Sequence, residues 1–135
     1  LTRSADRSFA TDVLGFDWQL GKGTVDGKVS MVPSPFKPFG WQERFSFTVS
    51  PTPDSYAVES PDAIRPSAPT GATIMRYDEN GLSAGVAYTR PIATSTSRYA
   101  DSRVVSMGFP FETIRGAKAR NRLMADVMHF LLPHR

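Results

Sequence analysis

The segment from residue 104 to residue 114 constrains the fold more than any other part of this chain. It is nearly continuously apolar up to Gly108, where it breaks, and it presents Glu112 after a proline turn. A nearly continuous apolar run predicts a strand covered on both faces, so we expect the strand over 103–107 to be central in its sheet. In open α/β folds, ligands and catalytic groups collect where such a strand ends. Glu112 is therefore a candidate functional residue.

A helix is predicted to follow this turn over 118–132 and to pack back on the sheet. Its apolar residues recur at helical spacing, which gives the helix one core-facing stripe. The stripe consists of Leu123, Met124, Val127, Met128, Phe130 and Leu131. Pro133 ends the helix because proline lacks the backbone N–H that a further turn needs.

The chain before this segment predicts short strands with tight connections. Alternation of apolar and polar residues indicates strands over 16–20 and 45–49. The Asp-Gly pair at 26–27 and the Asn-Gly pair at 80–81 indicate hairpin turns, and a short helix is predicted over 4–14. There are too few βα units for a complete doubly wound fold. We therefore expect an α/β chain with hairpins added to a partial sheet.

Composition excludes several classes of site and partner. The 135 residues suit one domain and include no cysteine, which rules out disulfides, thiolate nucleophiles and cysteine-based zinc sites. The net charge of +3 is too small to indicate a nucleic-acid-binding protein. The densest basic cluster, which is either a solvated helix face or an anion site, is Arg115, Lys118, Arg120 and Arg122. No apolar run approaches the ~20 residues of a membrane span, and we expect no cofactor or metal.

Histidines and carboxylates are the remaining candidates for chemistry. His129 and His134 lie near the C-terminus without a carboxylate at ligand spacing, so we expect them to be surface or helix residues. A glycosidase needs a pair of carboxylates. The candidates here are Asp17, Glu59, Asp62 and Glu112. Glu112 is predicted either to cap backbone N–H groups of the turn that follows it or to orient a histidine.

The stretch 108–114, with 120–124 and 130–131 behind it, resembles the C-terminal half of a flavodoxin-like domain of the class I glutamine amidotransferase-like superfamily. It is similar in particular to the version found in secreted Bacteroidetes proteins labelled xanthan lyase or golvesin-related. Three further stretches fit that type, namely 9–15, 56–64 and 74–77. The resemblance implies a single domain over 1–135, the C-terminal half of a larger amidotransferase-like domain, with a partial flavodoxin-like sheet and a C-terminal helix packed on it. Because the chain begins with Leu1, we expect a fragment of a longer polypeptide.

The resemblance also implies what chemistry to expect. Active amidotransferases use a cysteine nucleophile with a histidine and a glutamate after a late strand, and Glu112 falls near the position of that acid. Phe109 and Phe111 stand beside it, and no histidine precedes it. We therefore expect Glu112 to be a relic and the chain to be no enzyme by itself. It is interpreted as a non-catalytic scaffold or interaction module of a secreted, periplasmic or surface bacterial protein that acts on carbohydrate or cell-wall material.

Two alternatives remain open. The chain is a carbohydrate-binding module if Trp18, Trp41, Phe36, Phe39 and Tyr56 provide stacking platforms, since aromatic faces suit the C–H surfaces of sugars. Most aromatic residues, Trp18 among them, alternate along strands, which favours the core. Trp41 and the loop over 33–40 are the exceptions. Alternatively, the chain is part of a polysaccharide lyase or hydrolase whose active site is completed by a missing segment. The expected partners are polysaccharide and the remainder of the parent polypeptide.

Overall fold

The computed structural model describes residues 4–39, 43–91 and 101–132. Its helices are α1 (Ser4–Ser8), which continues into a π-helical segment (Phe9–Leu14), and α2 (Ala117–Leu131). Its strands are β1 (Phe16–Leu20), β2 (Lys28–Met31), β3 (Arg44–Ser46), β4 (Ala63–Pro66), β5 (Gly71–Tyr77), β6 (Ser83–Pro91) and β7 (Asp101–Met107). Short 3-10 turns cover Lys37–Phe39 and Phe111–Thr113. The described chain is a mixed α/β structure with a C-terminal helix, as the sequence predicts.

The strands form a five-stranded sheet and a two-stranded sheet, and every pairing between described strands is antiparallel. The larger sheet is curled and has the order β3-β2-β5-β6-β7, while β1 pairs with β4 in the smaller one. β4 also packs on β6, so the smaller sheet lies against the larger. A flavodoxin-like sheet is mostly parallel. The flavodoxin-like part of the expectation is therefore not confirmed.

β7 lies at one edge of the five-stranded sheet and pairs with β6. The prediction that residues 103–107 form a central, buried strand is therefore wrong, and Val104, Val105 and Met107 are partly exposed. The apolar run has another cause, because α2 and the π-helical segment pack against β7 and Val105 and Met107 contact the core. The strand does end before Gly108, as the sequence indicates.

The two predicted hairpin turns have different outcomes. Gly81 has a φ of +72°, and the Asn80 side chain accepts a hydrogen bond of 2.9 Å from a backbone N–H two residues on, so this turn joins β5 to β6 as predicted. Gly27 also has a positive φ, but β2 begins after it and pairs with β3 and β5. The hairpin predicted at 26–27 is wrong, because the backbone N–H groups of Val25 and Asp26 donate to the Glu79 carboxylate instead of to a paired strand.

The helical and remaining strand predictions are largely confirmed. β1 covers the predicted 16–20, while the predicted 45–49 is shorter and continues only as an isolated bridge between Phe47 and Ile114. The predicted N-terminal helix is present as α1 and the π-helical segment, ending at Gly15.

α2 contributes to the core through a narrow face. Leu123 and Phe130 are buried in the cluster that β2, β5 and β6 also line. Met124 and Met128, which the sequence places on the core-facing stripe, are instead exposed. The helix therefore packs on the sheet as predicted but presents fewer apolar residues to it.

Candidate functional site

Trp18 is an aromatic side chain that the small sheet leaves half exposed. It lies in β1 opposite Ile64 of β4, and 47% of its surface is exposed. Its indole Nε1–H donates a hydrogen bond to the Asp62 carboxylate, with 3.1 Å between Nε1 and Oδ1. A charged acceptor makes this a comparatively strong bond. The ring is thus held in one orientation while much of it stays accessible.

The turn after β7 positions Asp62. The backbone N–H of Asp62 donates to the carbonyl of Gly108 (2.7 Å), and the Tyr77 hydroxyl donates to the carbonyl of Asp62 (2.6 Å). Burial raises the pKa of Tyr77, so its hydroxyl stays protonated and able to donate. A β-carbon at Gly108 would lie 1.8 Å from the Asp62 carbonyl oxygen, so glycine is required there. The turn that the sequence singles out therefore holds the residue that orients Trp18.

Two open grooves flank Trp18. The first, of about 560 Å³, lies between the N-terminal helical segments and the small sheet, and its lining includes Arg7, Asp17 and Arg65. The second, of about 340 Å³, is lined by Phe16, Trp18, Asp62, Ile64, Met107 and Gly108. In the first groove, Asp17 accepts a hydrogen bond from the Thr11 hydroxyl (2.8 Å). Trp18 thus stands between a groove with charged groups and a more apolar one.

The aromatic loop predicted as a stacking platform is mostly core. Phe39 is fully buried, with 0% of its surface exposed, and Phe36 is half-buried. Their ring centroids lie 5.6 Å and 4.9 Å from that of Phe130 on α2. The prediction of Phe39 as a ligand-binding residue is corrected by this burial, because the loop folds onto the helix. Trp41 lies outside the described residues.

Tyr56 and Glu112, two predicted site residues, are brought together. The Tyr56 hydroxyl donates a hydrogen bond to the Glu112 carboxylate, with 2.7 Å between the oxygens, and 52% of Tyr56 is exposed. No side chain caps the 3-10 turn that contains Glu112 at its N-cap position, Pro110. Glu112 therefore links this turn to the segment around Tyr56, a contact that spacing in the sequence did not indicate.

The hydrogen bond between these two residues changes both pKa values. The Tyr56 hydroxyl, helped by the backbone N–H of Glu112 itself, lowers the pKa of the Glu112 carboxyl. The same carboxylate raises the pKa of Tyr56, with a smaller contribution from burial. Near neutral pH, Glu112 is an ionised acceptor and Tyr56 a protonated donor. This pairing suits a structural link better than proton transfer.

A third groove of about 790 Å³ adjoins Glu112 and mixes both signs of charge. Its lining includes Asp54, Glu112, Arg115 and Arg120. Arg120 donates to the carbonyl of Ile114 (2.7 Å) at the start of α2. Of the basic cluster predicted from the sequence, Arg122 pairs with Glu43 (3.2 Å) outside this groove. Arg120 and Arg122 of this cluster are therefore used in contacts within the protein, whereas Arg115 and Lys118 are exposed.

The other candidates for chemistry lie apart from one another. His129 is exposed on α2, and His134 lies outside the described residues. Asp62 and Asp17 bind Trp18 and Thr11. Within the described ranges, no group of three or more His, Cys, Asp or Glu residues could hold a metal ion. None of the described helices has the length and apolarity to cross a bilayer.

Comparison with protein families, with curated proteins and with solved structures gave no match to this chain. The functional proposals below therefore depend on the geometry around Trp18 and Glu112.

Proposed function

We propose that this chain is a non-catalytic interaction module that binds carbohydrate, with the Trp18 ring as the surface on which a sugar stacks. The observation that supports it best is the combination of a half-exposed indole with a hydrogen bond from its nitrogen to Asp62. Aromatic rings suit the C–H faces of sugars because they offer a large apolar area beside a polar edge. A ring already held in place loses little conformational freedom when a ligand binds.

The surroundings of Trp18 supply the polar contacts that a sugar requires. Asp62 offers carboxylate oxygens beside the ring, and carboxylates accept hydrogen bonds from hydroxyl groups. The grooves on both sides leave room for further sugar units along a chain. Small-ligand sites commonly combine an apolar wall with a few placed polar groups.

The resemblance to amidotransferase-like domains also suggests where the protein acts and what kind of larger protein this chain belongs to. We propose a secreted, periplasmic or surface protein that acts on carbohydrate or cell-wall material, with this chain as a non-catalytic part of an amidotransferase-like domain. The binding proposal does not depend on that likeness, because it rests on residues of the small sheet. The lowered pKa of Glu112 also favours a structural role, because a general acid needs a carboxyl that holds its proton near neutral pH.

Retention on insoluble polysaccharides tests the proposal. The wild-type chain should be retained by at least one polysaccharide of a panel of neutral and acidic ones, and Trp18→Ala should lose that retention. Tyr56→Ala is the matched control, because Tyr56 is an aromatic residue of similar exposure (52% against 47%) that lies away from Trp18 and is bonded to Glu112. Equal retention of wild type and Trp18→Ala would overturn the assignment of Trp18. Loss of retention in Tyr56→Ala but not in Trp18→Ala would indicate that the binding site is the groove beside Glu112.

A further inference from the structure

Arg65 of β4 adds a charged group to the groove on which the Trp18 ring borders. Arg65 and Trp18 both line the groove of about 560 Å³. In the β1–β4 ladder Arg65 stands opposite Asp17, and Trp18 opposite Ile64. Neighbouring residues of a strand point to opposite faces. Arg65 and Trp18 therefore approach the groove from different sides of the small sheet.

The guanidinium of Arg65 is exposed and makes no hydrogen bond or ion pair with any residue that the structure describes. Its cross-strand neighbour Asp17 does not satisfy it, because no salt bridge joins them and Asp17 accepts from Thr11 instead. Arg7, the other cation of the groove, already has an interaction within the protein. Of these two arginines, Arg65 is therefore the one whose guanidinium N–H groups are available to a ligand.

The charges of the groove favour an anionic ligand. Among the described residues that line it, the ionisable groups are two cations, Arg7 and Arg65, and one carboxylate, Asp17. A guanidinium presents a planar fork of N–H donors that matches a carboxylate through two parallel hydrogen bonds. A polysaccharide that stacks one unit on Trp18 and carries a carboxylate on a neighbouring unit would contact the indole ring and also accept hydrogen bonds from the Arg65 guanidinium.

We infer that the groove lined by Trp18 and Arg65 binds a polysaccharide containing uronic acid, with one sugar unit stacked on the indole and the carboxylate of a neighbouring unit on Arg65. This inference rests on the proposed function and adds the class of sugar. Asp62 lines the second groove beside Trp18, where its carboxylate can accept hydrogen bonds from hydroxyl groups of the same glycan.

A polymer whose carboxylates can be masked gives the sharpest test. Affinity electrophoresis or calorimetry would compare polygalacturonate and alginate with their methyl esters, which keep the sugar rings and lose the charge. The wild-type chain should bind at least one acidic polymer about tenfold or more tightly than its ester, because a charged hydrogen-bonded pair is lost. Arg65→Gln should remove this preference and leave binding of the ester unchanged.

Arg44→Gln is the matched control. Arg44 is an exposed arginine on β3, outside this groove, so its replacement gives the same change in net charge. It should bind like the wild type, which separates a local contact from general attraction to a polyanion.

Each contrary result identifies what failed. Equal binding of acid and ester forms, abolished by Trp18→Ala, would overturn the uronate inference and leave a neutral-sugar module. Absence of binding to both acidic polymers would also overturn it, and neutral polysaccharides would then test the proposed function alone. Arg65-dependent binding of dextran sulfate in preference to both uronates would make this a general anion site.

Discussion

Two aromatic regions of this molecule differ in what covers them. The rings of Phe36 and Phe39 lie between the 3-10 turn at Lys37–Phe39 and α2, where Phe130 meets both. Trp18 lies in the two-stranded sheet, and β4 is its one strand neighbour among the described residues. The first region has a helix above it and becomes core. The second has an open edge, so its ring remains half exposed.

The difference shows that exposure of an aromatic residue depends on the number of layers around it. A loop rich in proline and aromatic residues can be part of the core when a helix packs over it. An alternating strand can expose its apolar side when no further element covers that face. For this reason the candidate binding surface lies on β1 rather than on the loop.

Removal of the Phe130 ring should lower the stability of the protein more than any other substitution considered. A small loss would contradict the contrast between the covered and the exposed aromatic region. Phe130→Ala leaves a cavity beside the rings of Phe36 and Phe39 and should lower the free energy of unfolding by about 3–5 kcal/mol. Trp18→Ala should cost about 1 kcal/mol or less, because its ring is half exposed. Urea denaturation of both variants measures this. Comparable losses would mean that Trp18 is a core residue.

Substitution of Gly108 should have the next largest effect, on both stability and binding. Gly108→Ala forces a β-carbon against the Asp62 carbonyl, at 1.8 Å in the undisturbed backbone, and should cost about 1–3 kcal/mol. Because Asp62 shifts, the Trp18 site should weaken as well. Gly71→Ala is the control, since its β-carbon meets nothing closer than 3.5 Å. Full glycan binding by folded Gly108→Ala would show that the turn does not position the site.

Some features of these regions could be predicted from the sequence and others could not. Local signals were enough for the hairpin at Asn80, for α2 and for β1, because turn chemistry and periodicity act over a few residues. The edge position of β7 depends on which strands pair, and an apolar run does not encode that. The bond between Trp18 and Asp62 joins residues 44 apart, and that between Tyr56 and Glu112 joins residues 56 apart. Neither contact follows from spacing.

The pair of Tyr56 and Glu112 should have a small effect that depends on pH. The folded pKa of Glu112 is lowered, so its contribution to stability is present above the unfolded value of about 4.3 and is lost as pH falls through the folded value. Tyr56→Phe removes the donor, so stability should fall less steeply between about pH 5 and pH 3. Chemical denaturation at several pH values measures the slope.

A double-mutant cycle sharpens that result. Glu112→Gln should reduce the same slope, and the combined variant should add nothing further, because both changes remove one hydrogen bond. Glycan binding should persist in all three variants. Independent, additive effects of the two substitutions would mean that the pair does not act as a unit.

The indole N–H signals of Trp18 and Trp41 in an NMR titration test the central claim most directly. With Trp41→Phe to assign the two signals, oligogalacturonate added to the wild-type chain should shift the Trp18 indole signal in a saturable manner. The ring lies against the ligand, and its N–H is bonded to Asp62, so both contact and any change in that bond alter the signal. Saturable binding that leaves the Trp18 signal unmoved would contradict the account, above all if Trp41 moved instead.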